Sequence, residues 1–376
     1  EWESSEYSRT AKLVGMGPWK IKEIVNGESI TYVPNEYYFK GTTPKTSSLK
    51  IDIVSPDTIV SEMKAGNYDI AQMPADQLDS YKDASNLNLV GSLESSYEYI
   101  SFNLGKYDEA SRKNIMDENA KMNDVKLRQA IAYAIDTKTA GEKLYNGLYH
   151  PATSLIISFF GDLHDSEVEG YSYDPDKANE LLDEAGYKDV DGDGIREGKD
   201  GKEFKITFAA RKRTEANEAL VQQYIAWWKE VGLNVELYTG RTLEINTFYD
   251  AVQANDPSID MYAGGWSTGY DPNPNGLWGE TAPFNMSRFV DEKNTELLDA
   301  IGSVASFDEK TNLKNYKAWQ EYAFEQAFAI PTFESEAITA LNKRVKNFDT
   351  NYGSASKNGI ALENIELTAD KGVAAE

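Results

Sequence analysis

EFKITFAARKRTEANEALVQQYIAWWKEVGLNVELYTG, residues 203–240, reads as a strand (203–210), a long helix (214–232) and a second strand (234–240). Strands alternating with helices point to an α/β lobe. The pattern continues on both sides. DVKLRQAIAYAIDTKTAGEKLYNG (124–147) has a helical period that puts Leu127, Ile131, Ala134 and Ile135 on one face, and DPDKANELLDEAGY (174–187) reads as a capped helix stopped at Gly186. Residues 291–305 and 309–327 read as helices, and FAIPTFES (328–335) as a buried strand. Trp227 and Trp228 are adjacent on one helix and cannot both face the same way, so at least one belongs to the core.

Ahead of Asp108 the character is mainly β. GPWKIKEIVNGESITYVPNEYYF (17–39) alternates around Asn26-Gly27, a two-residue hairpin signal. LKIDIV (49–54) and SSYEYISFNLG (95–105) read as strands, residues 57–73 as a helix, a glycine stop and a strand, and 75–82 as a short helix. After Asn347 the tail is rich in Gly, Ser, Ala and charge, with one strand-like piece at 359–367. A chain of 376 residues is long for one core and suggests two lobes.

Composition narrows the function. Hydrophobic residues make up 40% and charged residues 27%, the balance of a water-soluble globular chain. The formal net charge is −24, from 62 acids against 38 bases. Such a surface repels phosphate backbones and argues against nucleic acid as a partner. There is no cysteine, which excludes disulfides, thiol catalysis and cysteine–zinc sites, and two histidines cannot build a multi-histidine metal centre. The chain opens at Glu1 without a signal peptide, which leaves a cytosolic protein or a processed piece of an exported one. No Walker loop, GxSxG, HExxH or dinucleotide fingerprint occurs, so nothing points to an enzyme.

AGGWSTGYDPNPNGLWG (263–279) holds five glycines and two tryptophans. Trp266 and Trp278 lie in a glycine-rich loop after a strand, where side chains often line a cleft, and Trp266 serves either a ligand or local loop packing. Asp271, before a proline, is either a turn-former or an acid placed to meet a positive group. DVDGDGIREGKD (189–200) has the spacing of a calcium loop, with Asp189, Asp191, Asp193, Ile195 (through its carbonyl) and Asp200 as ligands. The shorter Asp200 stands where Glu is usual, and a strand follows directly, so a solvated hairpin loop is the other reading. Arg211, Lys212, Arg213 and Arg241 read as solvated charges.

Several stretches together resemble one family, the extracellular solute-binding proteins of family 5, the oligopeptide-binding receptors of ABC importers. They are Gly15, Gly17, Pro18 and Trp19 followed by Pro34, Asn35, Tyr37 and Tyr38; MKAGNYDIAQM; YISFNLG with VKLRQAIAYAIDTKTAGEKLYNGLYHPATSLI; YDPDKANELLDEAGY; and GGWSTGYDPNPNGLWG with FNMSRF. The resemblance, of Gram-positive type, runs from about Val14 to about Phe348.

It implies a type II periplasmic-binding-protein-like fold, α/β, with lobe one at 1–107 plus 348–376 and lobe two at 108–347. It implies a receptor, not an enzyme, that closes two lobes around an extended peptide and hands it to membrane permease subunits. Such a receptor is a monomer held by a lipid anchor on the extracellular face of the membrane. Asp271 matches the acid that meets the peptide's amino terminus, Trp266 forms a wall beside Tyr270, and the backbone at Gly264, Gly265 and Ser267 pairs with the peptide. Asn103 faces the same cleft. No cofactor is required, and a structural Ca²⁺ at the Asp189 loop stays one of the two readings of that loop's spacing. Ala263 stands where some relatives carry arginine, which leaves a peptide's carboxyl end without that grip. The family's anchor cysteine, first strand and small extra domain have no counterpart here, so the resemblance implies an N-terminally truncated chain. A glycan receptor of the same fold, a peptide-pheromone receptor and a secreted hydrolase using two carboxylates are the alternatives.

Overall fold

The structure, a computed structural model, describes residues 10, 12–41, 43–348 and 362–376. It divides into two compact units, one within Glu1–Leu93 and Glu336–Glu376, the other Glu94–Ser335.

The first unit opens with an antiparallel sheet, β1 (Trp19–Val25), β2 (Ser29–Pro34) and β3 (Leu49–Asp52), in that order. The expected hairpin turns at Asn26-Gly27, where Gly27 has φ 75°. Next comes α1 (Pro56–Ala65). Ser55 caps it by accepting from the Asp57 amide, Pro56 presets the first turn, and left-handed Gly66 returns its N–H to the last carbonyls. β4 (Ile70–Met73) and α2 (Leu78–Tyr81) follow, then the long β5 (Leu87–Phe102). Ile59, Val60 and Met63 of α1 pack on Met73, Tyr81 and Leu87. Each such burial contributes about 1.5–3 kcal/mol.

The second unit begins after β5 with a hairpin of β6 (Gly105–Asp108) and β7 (Lys113–Met116). The single helix expected over 124–147 is two, α3 (Val125–Tyr133) and α4 (Thr137–Leu144). The break has two causes, one distant in sequence and one local. The Ile131 carbonyl accepts from Trp228 Nε1 at 3.0 Å, and Asp136 starts a new helix by capping the Thr139 amide at 2.9 Å. There follow β8 (Tyr149–Pro151), α5 (Pro175–Ala185), β9 (Lys205–Ala210), α6 (Glu215–Glu230) and β10 (Asn234–Leu237). Then come α7 (Ile245–Gln253), β11 (Met261–Ser267), α8 (Asn275–Trp278), α9 (Glu292–Ile301), α10 (Glu309–Gln326) and β12 (Ala329–Asn342).

The sheet runs β10-β9-β11-β5-β12, with β8 also on β12. β9 is parallel to both β10 and β11, as the opening strand–helix–strand reading requires, and β11 is antiparallel to β5. Trp228 is fully buried edge-on against Phe208, and Trp227 stays partly exposed. Back in the first unit, the second half of β12 pairs with β4, and β13 (Val345–Lys346) pairs with β14 (Glu366–Leu367). Part of the strand expected at 359–367 lies outside the described residues.

Both unit divisions fall inside long strands, at 93/94 within β5 and at 335/336 within β12. The division read from the sequence, at 107/108 and 347/348, stands just beyond the ends of those strands. Composition changes only where the strands finish, whereas packing changes partway along them.

Candidate functional site

The site residues expected from the sequence gather around β11. Antiparallel pairing sets Gly264 opposite Tyr99, Gly265 opposite Glu98, Trp266 opposite Tyr97 and Ser267 opposite Ser96. On the other edge, β9 pairs only with residues 261–263 of β11. Beyond that point, among the described residues, no strand covers β11. The Thr268 amide donates to the Ser95 carbonyl at 2.8 Å, so by the two-residue period the amides of Trp266 and Gly264 also face β5. Gly265 and Ser267 therefore turn their backbone groups to the open edge. Consistent with this, the Gly265 carbonyl accepts from Tyr249 Oη at 3.3 Å.

Each named residue has a distinct setting. Gly264 is buried, and a Cβ there would stand 2.8 Å from Tyr99 Cζ and Oη. Its lack of a side chain makes room for Tyr99, and its backbone belongs to the β5 ladder. A Cβ on Gly265 would meet Glu98 Oε2 at 2.9 Å and Arg211 at 3.0 Å. Trp266 is half-buried against Phe284, ring centroids 5.6 Å apart, and its Nε1 is buried with no hydrogen-bond partner. Tyr270 is exposed beside Phe159. Asp271 is exposed, and its Oδ1 accepts from the Asn273 amide at 3.0 Å, the turn-forming bond read from YDPNP. The Asp271 charge also helps raise the phenol of Tyr316, which burial pushes up to about 12.

Asn103 is not with these residues. It follows Phe102, which pairs with Met261 at the other end of the strand pair, roughly 20 Å from Tyr97 at about 3.3 Å per residue. Its amide group donates to the carbonyls of Asp256 and Ile259 at 3.3 and 3.1 Å. Asn103 thus stands toward the other end of the strand pair from Trp266, its polar group holding the turn that leads into β11.

A charged cluster, read from the sequence as solvated residues, lies behind Gly265. Arg211 and Arg213 both donate to Glu98, Arg211 to Oε2 and Arg213 to Oε1 at 2.5 Å. The Arg211 side chain is only 13% exposed, so it is no surface charge. Strand β9 ends at Ala210, and Arg211 just beyond it bridges to Leu243, so no strand alternation marked the pair in the sequence. Beside the cluster Tyr145 and Tyr149 stack 4.0 Å apart, and burial raises both phenols.

At the Asp189 loop the structure brings Asp189 and Asp191 together with Glu197, the one group of three metal-capable side chains among the described residues. Asp200, expected as the twelfth-position ligand, is instead paired with Lys202 at 2.9 Å, and Asp193 Oδ1 accepts from the Ile195 amide at 2.7 Å. Asp189 accepts from the amides of Gly192 and Gly194, which hold its carboxyl below the ordinary aspartate value. These are the bonds of a self-closing turn. Arg196 ties the loop to α5 and α6 through Asn179, Asp183 and the Val231 carbonyl.

Two α/β units that share two long strands, one of them presenting a glycine-lined strand edge, define a type II periplasmic-binding-protein-like receptor fold. The chain belongs to the bacterial extracellular solute-binding proteins, family 5, whose sequence profile matches residues 3–288. It is 35% identical over 357 residues to the oligopeptide-binding protein OppA of Lactococcus lactis subsp. cremoris, an alignment covering 93% of this chain and 59% of that protein. The chain thus spans about three-fifths of the length of that relative. Lactococcal OppA complexed with an endogenous peptide in the closed conformation superposes with a TM-score of 0.91 at 34% identity, over 97% of this chain and 67% of that one. The oligopeptide-binding protein AppA of Bacillus subtilis, solved in complex with a nonapeptide, shares the fold with a TM-score of 0.80 at 22% identity, over 98% and 69%.

Proposed function

We propose that this chain is the ligand-binding part of an ABC-importer receptor that captures extended oligopeptides and delivers them to membrane permease subunits. The observation that carries the reading is the uncovered edge of β11 at Gly265 and Ser267, where the outward backbone groups, apart from the Gly265 carbonyl bonded to Tyr249, face no strand among the described residues. An extended peptide supplies one by strand addition. Recognition through backbone accepts many sequences, as suits a receptor for oligopeptides. Gly265 lets the peptide approach closely, Trp266 and Tyr270 flank it, and Asp271 meets its amino terminus. The receptor acts as a monomer on the extracellular face of the membrane, through a lipid anchor in the whole protein, and performs no catalysis. No helix among the described residues is long and apolar enough to cross a membrane. A structural Ca²⁺ at the Asp189 loop would show as a calcium-dependent rise in melting temperature.

The test is calorimetric titration of the chain and of Ser267→Pro with a pool of free-acid nonapeptides. Proline at 267 removes an amide that the β5 ladder does not use, so the fold tolerates it, but the peptide loses a hydrogen bond. Peptide binding weakened about tenfold by S267P supports the reading. Binding of gluco- or manno-oligosaccharides without peptides would replace it with the glycan receptor.

A further inference from the structure

Asn26-Gly27 makes a turn, and the same pair carries a chemistry that the turn does not need. Where glycine follows asparagine or aspartate, no side chain hinders the glycine nitrogen from attacking the Cγ before it. The attack needs that nitrogen free. An N–H held by an acceptor must first be released, and a helical backbone holds nitrogen and Cγ in fixed positions. Such steps begin at Asn26, Asn146, Asp191, Asp193, Asp200, Asn275 and Asn358, the last outside the described residues.

All but the first of those described are guarded. The Gly147 amide donates to the Gly141 carbonyl at 3.0 Å. The Gly192 and Gly194 amides donate to the two oxygens of Asp189, at 2.6 and 2.9 Å, and the Gly201 amide to the Gly198 carbonyl at 2.8 Å. Asn275 opens α8, and a Cβ on Gly279 would stand 2.3 Å from its Oδ1, so the carboxamide points down the helix toward Gly279. Asn26-Gly27 differs in each respect. Both residues are exposed, and a Cβ on Gly27 would meet nothing within 4 Å. Among the described residues neither the Gly27 amide nor the Asn26 carboxamide has a hydrogen-bond partner. The turn is closed by the next residue, whose Glu28 amide donates to the Val25 carbonyl at 3.0 Å.

We infer that Asn26 is a modification site, where the chain deamidates unaided ahead of every other described Asn-Gly or Asp-Gly step. The Gly27 nitrogen loses its proton and bonds to Asn26 Cγ. The Cγ–Nδ2 bond breaks, and ammonia leaves with a proton from solvent. Water then opens the cyclic imide at either carbonyl, giving aspartate or isoaspartate; one water enters, one ammonia departs, and nothing is oxidised or reduced. In isoaspartate the main chain runs through the side-chain carbons, which lengthens the loop by one atom. The Val25–Glu28 turn bond, the Val25–Ser29 pair and the bond from the Ile53 amide to the Glu28 carbonyl at 2.8 Å all depend on that loop. The change therefore loosens the near end of the β1-β2-β3 sheet. The inference stands apart from the peptide-receptor reading.

The test holds the chain in mildly alkaline buffer, native in one portion and in urea in another, with samples digested under acid. Mass spectrometry with fragmentation that separates aspartate from isoaspartate follows each step. In the native chain Asn26 should convert about tenfold faster than Asn146 or Asn275. In urea the three rates should converge, because the guarding contacts are gone. Native conversion of Asn146 or Asn275 as fast as that of Asn26 overturns the proposal. An Asn26 that converts in urea but not in the native chain also overturns it, since the turn would then protect its own asparagine. Asn26→Gln, whose longer arm closes a less favourable ring, should lack the first deamidated species to appear; the same species forming at the same rate in N26Q would overturn the assignment. Hydrogen exchange at Glu28 and Ile53 should be faster in the separated isoaspartate form than in fresh chain. Equal exchange would overturn the effect on the sheet.

Discussion

The Tyr99 ring lies across Gly264, so close that a Cβ on the glycine would stand 2.8 Å from the ring's Cζ and Oη. Tyr99 is 1% exposed and packs edge-on against Tyr262 and Trp278, so it cannot yield. Gly264→Ala is expected to cost about 1–3 kcal/mol through overpacking. Chemical denaturation of G264A measures it. A loss too small to resolve would mean the ring has somewhere to go.

Glu98 holds two guanidiniums apart from one another by accepting from both. Glu98→Gln keeps the shape and removes the charge, leaving Arg211 and Arg213 to repel. The expected cost is about 1–3 kcal/mol, moderated by the water that reaches Arg213. In a double-mutant cycle R213Q should restore part of that loss, because one guanidinium then faces one neutral amide. Strictly additive losses would show that the three groups do not act together.

These two relationships mark where the sequence could be read and where it could not. Local signals were legible: the Asn26-Gly27 turn, the Gly66 and Gly186 helix stops, and the 203–240 strand–helix–strand each depend on neighbours within a few residues. The missed break between α3 and α4 needs Trp228, 97 residues beyond Ile131 in sequence, to claim the Ile131 carbonyl. The Glu98 cluster needs partners 113 and 115 residues away. The distance of Asn103 from Trp266 was not legible, because a strand's alternation tells which face a residue takes but not which end of the partner strand it meets. Asp271 was read both as a turn-former and as a ligand acid, and the turn bond to the Asn273 amide is present.

Acid should reveal the Asp189 turn. The amides of Gly192 and Gly194 lower the Asp189 pKa from its ordinary value of 3.8. A group with a depressed folded pKa contributes stability that is fully present above the unfolded value. That contribution is lost as pH falls through the folded value. The melting-temperature gap between the chain and Asp189→Asn should therefore be widest above the ordinary aspartate value of 3.8 and narrow as the solution is acidified below it. A gap independent of pH would mean that the carboxylate's charge plays no part in closing the turn.

The first unit depends on a clamp of two asparagines. Asn342, fully buried, donates Nδ2–H to the Val373 carbonyl at 2.8 Å and accepts the Val373 amide on Oδ1 at 3.1 Å. Asn86, also fully buried, donates to the same carbonyl at 2.6 Å and to the Met63 carbonyl at 2.9 Å. The clamp presses backbone on backbone: a Cβ on Gly372 would stand 1.9 Å from the Gly66 carbonyl oxygen, and one on Gly66 would stand 2.7 Å from the Val373 oxygen. Asn342→Ala removes the acceptor of the Val373 amide and one of the two donors to its carbonyl, the other being Asn86, which is expected to cost about 1–3 kcal/mol. Asn342→Asp is the sharper test. It keeps the acceptor for the Val373 amide but turns the donor into a second acceptor aimed at a carbonyl, so it should lose at least as much as alanine at neutral pH. Protonating the aspartate restores a donor, so acidification should recover part of the loss. Hydrogen exchange should quicken at Val373 and Ala375, whose amide is held by the Lys64 carbonyl at 2.7 Å. Unchanged exchange there in N342D would show that Asn86 and the glycine contact hold the segment by themselves.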